Sequence, residues 1–302
     1  MRSTVRRVAA LLILPALLLT GCGGSDAPEV VGGFGTKPQL TIPDAPPPTE
    51  LRTTVITEGK GLPVKAGDRI YVRSALFNWR TRQPLDDNFN PESEVYSESL
   101  AKLNKGWNQG LVGKKAGSRV LLVVPPALGY GAAGKPPAIE PNDTVLYVVD
   151  ILGSAPMDAK ITGKMVPPGP GLPTVQGKPG VKPVIKLPAG APPKQLVSKV
   201  LVEGTGPVLT AKSWTAVHYV GVTWPRGEEF DASWNRPESG PTGFPLDGVI
   251  KGWTEGLAGK KVGSRVLLVV PPAKGYGPGG NPAAGIKGTD TLVFVVDILT
   301  AS

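Results

Sequence analysis

Cysteine and histidine are nearly missing from this chain: 302 residues hold one of each, Cys22 and His218. A lone cysteine cannot close an intramolecular disulfide. A lone histidine excludes His-rich metal sites. Cys22 lies in the N-terminal signal region and is expected to carry lipid, which removes it from Cys-His nucleophilic catalysis. A single histidine argues against a Ser-His-Asp triad, so neither a metal nor a cofactor is expected. Long hydrophobic runs are missing too. The apolar stretch at residues 8–19 is too short for a membrane-spanning helix, which needs about 20 residues. The formal charge is +9, yet there is no long basic run and no nucleic-acid motif, so no nucleic-acid partner is expected. What the chain holds in plenty is glycine and proline, 40 and 34 residues.

The N-terminus reads as a secretory signal. Residues 1–7 carry three arginines and no acid, residues 8–19 are apolar, and Leu19-Thr20-Gly21-Cys22 follows. That ending resembles a bacterial lipobox, in which the cysteine is lipidated and becomes the first mature residue. The expectation is a signal peptide at 1–21, a lipid anchor on Cys22 holding the protein to the cell membrane, and an extracytoplasmic location. Residues 22–36, Gly-rich and polar, read as a flexible tether.

The rest of the chain is written twice. LVGKKAGSRVLLVVPPALGYG (111–131) returns as LAGKKVGSRVLLVVPPAKGYG (257–277), differing only at Val112/Ala258, Ala116/Val262 and Leu128/Lys274. The match reaches back to Lys37-Pro38 and Lys182-Pro183, which places one domain at 37–153 and a second at 182–302. Residues 154–181, rich in Pro and Gly, read as an interdomain linker. The Pro-bounded segment opening each repeat suggests an added edge strand, where proline is tolerated.

Within each repeat the pattern is mostly strand. Residues 214–220, 264–270 and 291–299 are rich in β-branched and aromatic types. One short helix interrupts them: Val249, Trp253 and Leu257 recur at i, i+4, i+8, as do Leu103, Trp107 and Leu111, with Gly259 and Gly113 as stops. The fold class is therefore α+β, an antiparallel sheet whose apolar face wraps one short helix.

In the second repeat the segments VHYVG (217–221), EFDAS (229–233), VIKGWTEGL (249–257), GYG (275–277) and TLVF (291–294) stand in an order and spacing that resemble the FKBP family of peptidyl-prolyl cis/trans isomerases. The resemblance covers both repeats, so two tandem FKBP-like domains are implied. It implies that Trp253 floors a pocket for the prolyl ring and that Tyr219, Phe230, Val249, Ile250 and Phe294 line it. Tyr276 would offer its hydroxyl to a substrate carbonyl, and the Ile250 N–H would hold another. Asp231 would sit at the rim, tethered by Tyr219 or Arg236, either as a structural partner of Arg236 or as a group acting near the twisting imide carbonyl. Phe244 fits the second aromatic of a Phe-x-Phe strand whose first position is Thr242. Ile286 would add an apolar contact from the following loop. The resemblance further implies that proline-containing peptides or unfolded exported proteins are the partners, and that macrolide inhibitors could occupy the second pocket.

The first repeat departs from that pattern. Ser74 stands where Tyr219 does, Leu85 for Phe230, Leu103 for Val249 and Asn104 for Ile250; Asp86, Trp107, Tyr130, Ile139 and Tyr147 remain. The expectation is a degenerate first pocket, with isomerase activity mainly in the C-terminal domain. The rival reading is a non-catalytic, chaperone-like lipoprotein that binds peptides in the same grooves. His218, beside Tyr219 in its strand, reads as structural.

Overall fold

A computed structural model describes residues 27–302 apart from 91, 225 and 237–239. The signal peptide and Cys22 lie outside the described residues.

Among the described residues, each repeat is a six-stranded antiparallel sheet with a seven-residue helix and a separate two-stranded hairpin. The first contains β1 (Glu29–Val31), β2 (Gln39–Thr41), β3 (Arg52–Thr57), β4 (Arg69–Asn78), β5 (Pro84–Asp87), β6 (Tyr96–Ser99), α1 (Lys105–Leu111), β7 (Arg119–Val124) and β8 (Val145–Ala155). The second contains β9 (Thr174–Gln176), β10 (Val184–Lys186), β11 (Val197–Val202), β12 (Trp214–Trp224), β13 (Glu229–Ala232), β14 (Thr242–Pro245), α2 (Lys251–Leu257), β15 (Arg265–Val270) and β16 (Thr291–Ala301). The main sheets run β3-β7-β8-β4-β5 and β11-β15-β16-β12-β13. The long strands β4 and β12 pair with two short ones in succession, β5 then β6 and β13 then β14. The α+β class with two tandem domains stands.

Glycine sets how closely helix and sheet approach. A Cβ on Gly252 would come within 2.4 Å of Val270 and one on Gly256 within 2.6 Å of Leu268; Gly106 and Gly110 stand against Val124 and Leu122 in the same way. Only hydrogen fits there, so the helix lies directly on the sheet. Both helices begin later than the apolar spacing implied: Leu103 and Val249 lie just before them. Gly113 and Gly259 follow the C-caps with φ of +84° and +80°, a conformation that favours glycine.

Each sheet wraps its helix with one face, and its other face is covered too. β7 and β15, both Arg-Val-Leu-Leu-Val-Val, are buried along their whole length, which requires cover on both sides. One face packs on the helix: Val120, Leu122, Val124 and Val149 meet Trp107 and Leu111. On the other, Leu121, Val123, Leu146 and Val148 form a second core with Phe77, Trp79 and Ile42, and Val30 and Leu40 pack against it. Val30 and Leu40 belong to the hairpin β1–β2. The opening segment is thus neither an edge strand nor wholly tether: from residue 29 it folds over the outer face. Gly35 N–H donates to Asp150 (2.6 Å), and Arg119, in a fully buried ion pair with Asp150, donates to the carbonyls of Gly32 and Thr36.

The second repeat copies this cover. Hairpin β9–β10 places Val175 and Ile185 against Leu267, Val269, Val293 and Val295. Arg265, paired with Asp297, donates to the carbonyls of Lys178 and Val181. The supposed linker is therefore structured: Ile161 is buried, Val166 N–H donates to Leu201 O (2.8 Å), and β9 lies inside it. Its proline and glycine serve a surface-hugging path rather than a free spacer.

The two domains also meet. Tyr71 of β4 lies 4.6 Å from Trp214 of β12 and donates its hydroxyl to Pro241 O, while Ser302 Oγ donates to Leu152 O (2.6 Å). Gly153 leaves room for the Trp214 ring, which would stand 2.5 Å from a Cβ there.

Candidate functional site

The site grows from the helix–sheet contact of the second domain. Because Gly252 and Gly256 let α2 sink onto β15, the Trp253 indole between them reaches the hollow of the sheet, where it is 5% exposed. Three rings stand edge-on around it: Tyr219 at 5.4 Å, Phe244 at 5.4 Å and Phe294 at 5.1 Å between centroids. Edge-to-face contacts of this kind contribute about 0.5–1.5 kcal/mol each beyond burial. Phe230 joins at right angles to Phe294, 5.5 Å away. Gly221, two residues after Tyr219 on the same face of β12, makes that possible, since a Cβ there would fall 2.6 Å from Phe230 and 2.9 Å from Phe294.

These residues enclose a cavity of about 530 Å³, completed by Asp231, Thr242, Val249, Ile250 and Tyr276. Two sequence-predicted residues do not line it. Ile286 is 3% exposed and belongs to the core, against the expected substrate contact, and Arg236 reaches the site through its contacts with Asp231 and Tyr219. The loop of Ile286 is pinned to Asn281 by two backbone hydrogen bonds, which turn its side chain into the core.

The cavity is apolar except at its rim. Asp231 accepts from Tyr219 and from Arg236 Nη1 (2.7 Å), and Arg236 Nη2 also donates to the Tyr219 hydroxyl (3.3 Å). Burial raises the Asp231 carboxyl, but the hydrogen bonds from Arg236 and Tyr219 and the guanidinium charge outweigh it and hold the group below the usual carboxylate range. Burial and the adjacent carboxylate push the Tyr219 hydroxyl up to about 12. Asp231 is therefore an anion and Tyr219 a neutral donor at neutral pH. Tyr276, 42% exposed, has no hydrogen-bond partner among the described residues, nor has the Ile250 N–H. Both donors are free for a ligand. The Trp253 indole N–H is buried without an acceptor among the described residues, a cost of about 1–3 kcal/mol that native cores rarely carry. His218 lies outside the cavity, stacked on Trp234 at 4.1 Å and bonded to Ser233 Oγ (3.0 Å); burial holds its imidazole down at about 4, so it is neutral and takes no part.

The first domain has the same hollow with different walls, about 640 Å³. Trp107 again forms the floor and Tyr147 stands edge-on at 5.1 Å. Ile139, like Ile286, is core and not lining. Leu76 occupies the Gly221 position, and it and Leu85, smaller than Phe230, both pack against the first-domain core. Asn104 has a structural reason to be there: its Oδ1 caps α1 by accepting from Trp107 N–H (3.1 Å), while Ile250 gives α2 no side-chain cap. Such a cap is worth about 1 kcal/mol. One wall residue, Tyr96, escaped the sequence alignment, as did the Glu98 position behind it. Tyr96, opposite Val72 as Thr242 is opposite Val217, restores an aromatic 6.3 Å from Trp107, and Glu98 takes the place of Phe244. The signal was available: each sits one short strand before the helix, at a fixed offset of 146 residues.

A family model described as FKBP-type peptidyl-prolyl cis-trans isomerase matches the chain twice, over residues 61–152 and 208–299. The chain is 44% identical over 122 residues to a probable FK506-binding protein of Corynebacterium glutamicum, covering 40% of this chain and 98% of that protein. It is 45% identical over 120 residues to an FK506-binding protein of Streptomyces anulatus, covering 39% and 95%. Against the FKBP-type peptidyl-prolyl cis-trans isomerase FkpA of Escherichia coli it is 45% identical over 104 residues, covering 34% and 37%. Both hairpins over the outer sheet faces lie outside the two matched spans.

Proposed function

From the premise that the chain belongs to the FKBP-type peptidyl-prolyl cis-trans isomerase family, we propose that its isomerase activity resides in the cavity over Trp253 and that the first domain contributes little. The observation that carries this is the aromatic enclosure itself: Tyr219, Phe230, Phe244 and Phe294 surround one indole in the second domain, whereas the corresponding positions of the first hold Ser74, Leu85, Glu98 and Tyr147, of which Ser74 and Tyr147 line its cavity.

Isomerisation needs no nucleophile. The barrier, about 18–20 kcal/mol, is the loss of amide resonance on twisting the Xaa-Pro bond. The twisted amide has less charge separation than the planar one. An apolar, water-poor cup therefore favours the twisted state over the ground state, and only such differential binding accelerates a reaction. In this reading the prolyl ring lies on Trp253. The Tyr276 hydroxyl and the Ile250 N–H hold the flanking peptide carbonyls. Asp231, fixed by Tyr219 and Arg236, faces the carbonyl carbon of the rotating imide and stabilises its altered charge distribution. Proline-containing segments of exported proteins are the proposed substrates. FK506-like macrolides, named in the relatives, are proposed ligands of the same cup.

The test is cis-to-trans isomerisation of an Xaa-Pro peptide by the full chain and by Trp253→Leu, Tyr276→Phe and Asp231→Asn variants. Loss of catalysis in this series, with none in the matching Trp107→Leu, Tyr130→Phe and Asp86→Asn series, supports the assignment; the reverse pattern moves activity to the first domain. For location, the twelve-residue apolar run ahead of the single cysteine supports an extracytoplasmic, lipid-anchored protein. Metabolic labelling with a fatty-acid analogue that disappears in Cys22→Ala is the check, and equal labelling of both rejects it.

A further inference from the structure

The first-domain cavity is more than a worn copy, because its replacements share a chemical direction. Four aromatic rings line it: Tyr96, Trp107, Tyr130 and Tyr147. Trp107 lies between two of them, 6.3 Å from Tyr96 at 60° and 5.1 Å from Tyr147 at 74°. In the second domain the rim carboxylate is paired with Arg236 and accepts a hydrogen bond from Tyr219. In the first, Ser74 has replaced the tyrosine, and Asp86, exposed at the same rim, has no hydrogen-bond or ion-pair partner among the described residues. Its neighbours are mostly spoken for. Asp87 pairs with Lys37 at 2.6 Å, and Lys102 lies 3.8 Å from Glu98. Of the remaining charged lining residues, Asp86 and Glu94 are anions and Lys135 alone is a cation. The floor is polar but internally satisfied: Asn104 Nδ2 donates to the Tyr147 hydroxyl (3.3 Å), which donates to the Tyr130 hydroxyl (3.1 Å). That chain leaves the Tyr130 proton to donate outward.

Ring faces carry negative potential and attract a cation, most strongly where water is thinned. A carboxylate without its own counter-ion at the mouth adds Coulomb attraction. A prolyl ring, which is uncharged, gains nothing from that carboxylate. We propose that the first-domain cavity is a binding site for a basic side chain, lysine or arginine, of an extended polypeptide. The cation sits among the rings of Trp107, Tyr96 and Tyr147 beside Asp86, and a backbone carbonyl of the same segment accepts from Tyr130. A client with a basic residue and a proline would then engage both domains, and the first site would raise the local concentration of the second site's substrate.

The test is calorimetric titration of the full chain with three blocked pentapeptides, Ala-Ala-Xaa-Ala-Ala, with Xaa lysine, norleucine or proline. The proposal expects lysine to bind at least tenfold tighter than norleucine, with affinity falling as salt rises. It expects that preference to shrink below twofold in Asp86→Asn, to weaken in Tyr130→Phe, and to persist in Asp231→Asn. A backbone amide spectrum of each variant confirms that it is folded. Equal binding of lysine and norleucine, no binding of either, a preference that survives Asp86→Asn, or one that disappears in Asp231→Asn overturns the proposal.

Discussion

The two cavities rest on one floor and differ in their walls. Trp107 and Trp253 are held alike, each between two glycines that lower the helix onto a fully buried strand. Above the floor the second domain spends its volume on rings, and it does so by giving up a side chain: Gly221 makes room for Phe230 and Phe294. The first domain has the opposite exchange, Leu76 at the glycine position and the smaller Leu85 at that of Phe230. The lesson is that the wall is a set of coupled volumes. Loss of one aromatic is absorbed by its neighbour without harm to the fold, and the pocket changes chemistry while the core remains.

That contrast can be broken where it is largest. Trp253→Leu is expected to lower isomerase kcat/KM at least tenfold. Trp107→Leu, with a comparable stability loss of about 2–4 kcal/mol, is expected to lower it less than twofold; urea unfolding beside the peptide assay measures both. The volume coupling gives the next effect. Gly221→Ala is expected to destabilise by about 1–3 kcal/mol through overpacking and to lower kcat/KM, while Leu85→Phe in the first domain destabilises alone and is relieved by a second change, Leu76→Gly. A double-mutant cycle that is additive would remove the coupling.

His218 sharpens the comparison by pH, since the first domain has Arg73 in that place. Its imidazole is held down at about 4 by burial, below its ordinary 6.5. Between those values the unfolded chain binds the proton and the folded one does not, so stability rises with pH across this window and is lost as pH falls through it. The contribution is on the order of 2–3 kcal/mol. Unfolding midpoints of the second domain measured from pH 7 to pH 4 are expected to fall, with a flatter profile in His218→Asn. The smallest effect is expected at the seam between domains. Tyr71→Phe removes one hydrogen bond to Pro241, a loss of about 1 kcal/mol, and should leave the isomerase rate within twofold.

Much of this is legible in the sequence. The doubled motif, the short helix with its tryptophan and the residues Tyr219, Phe230, Asp231, Trp253, Tyr276 and Phe294 are local patterns at fixed spacing, and they converge on one cavity as the family resemblance implied. The hairpin cover was legible too but passed over: Val30, Gly32, Gly35, Lys37 and Pro38 recur as Val175, Gly177, Gly180, Lys182 and Pro183, and an unbroken Val-Leu-Leu-Val-Val strand asks for two covered faces. The linker reading failed because proline and glycine report backbone preference, which is the same for a free chain and for one laid on a surface.

The sequence by itself determined the repeat, the class of each element and the residue types available to the pocket, because periodicity and turn chemistry act over a few residues. Only the tertiary structure decided which of those residues share a wall. Ile286 turned into the core, Tyr96 entered a cavity no alignment had given it, and Arg119 and Arg265 reached back more than eighty residues to fasten the hairpins. Those outcomes depend on strand pairing and on how near a glycine lets two elements approach, and both are set by contacts between residues far apart in the chain.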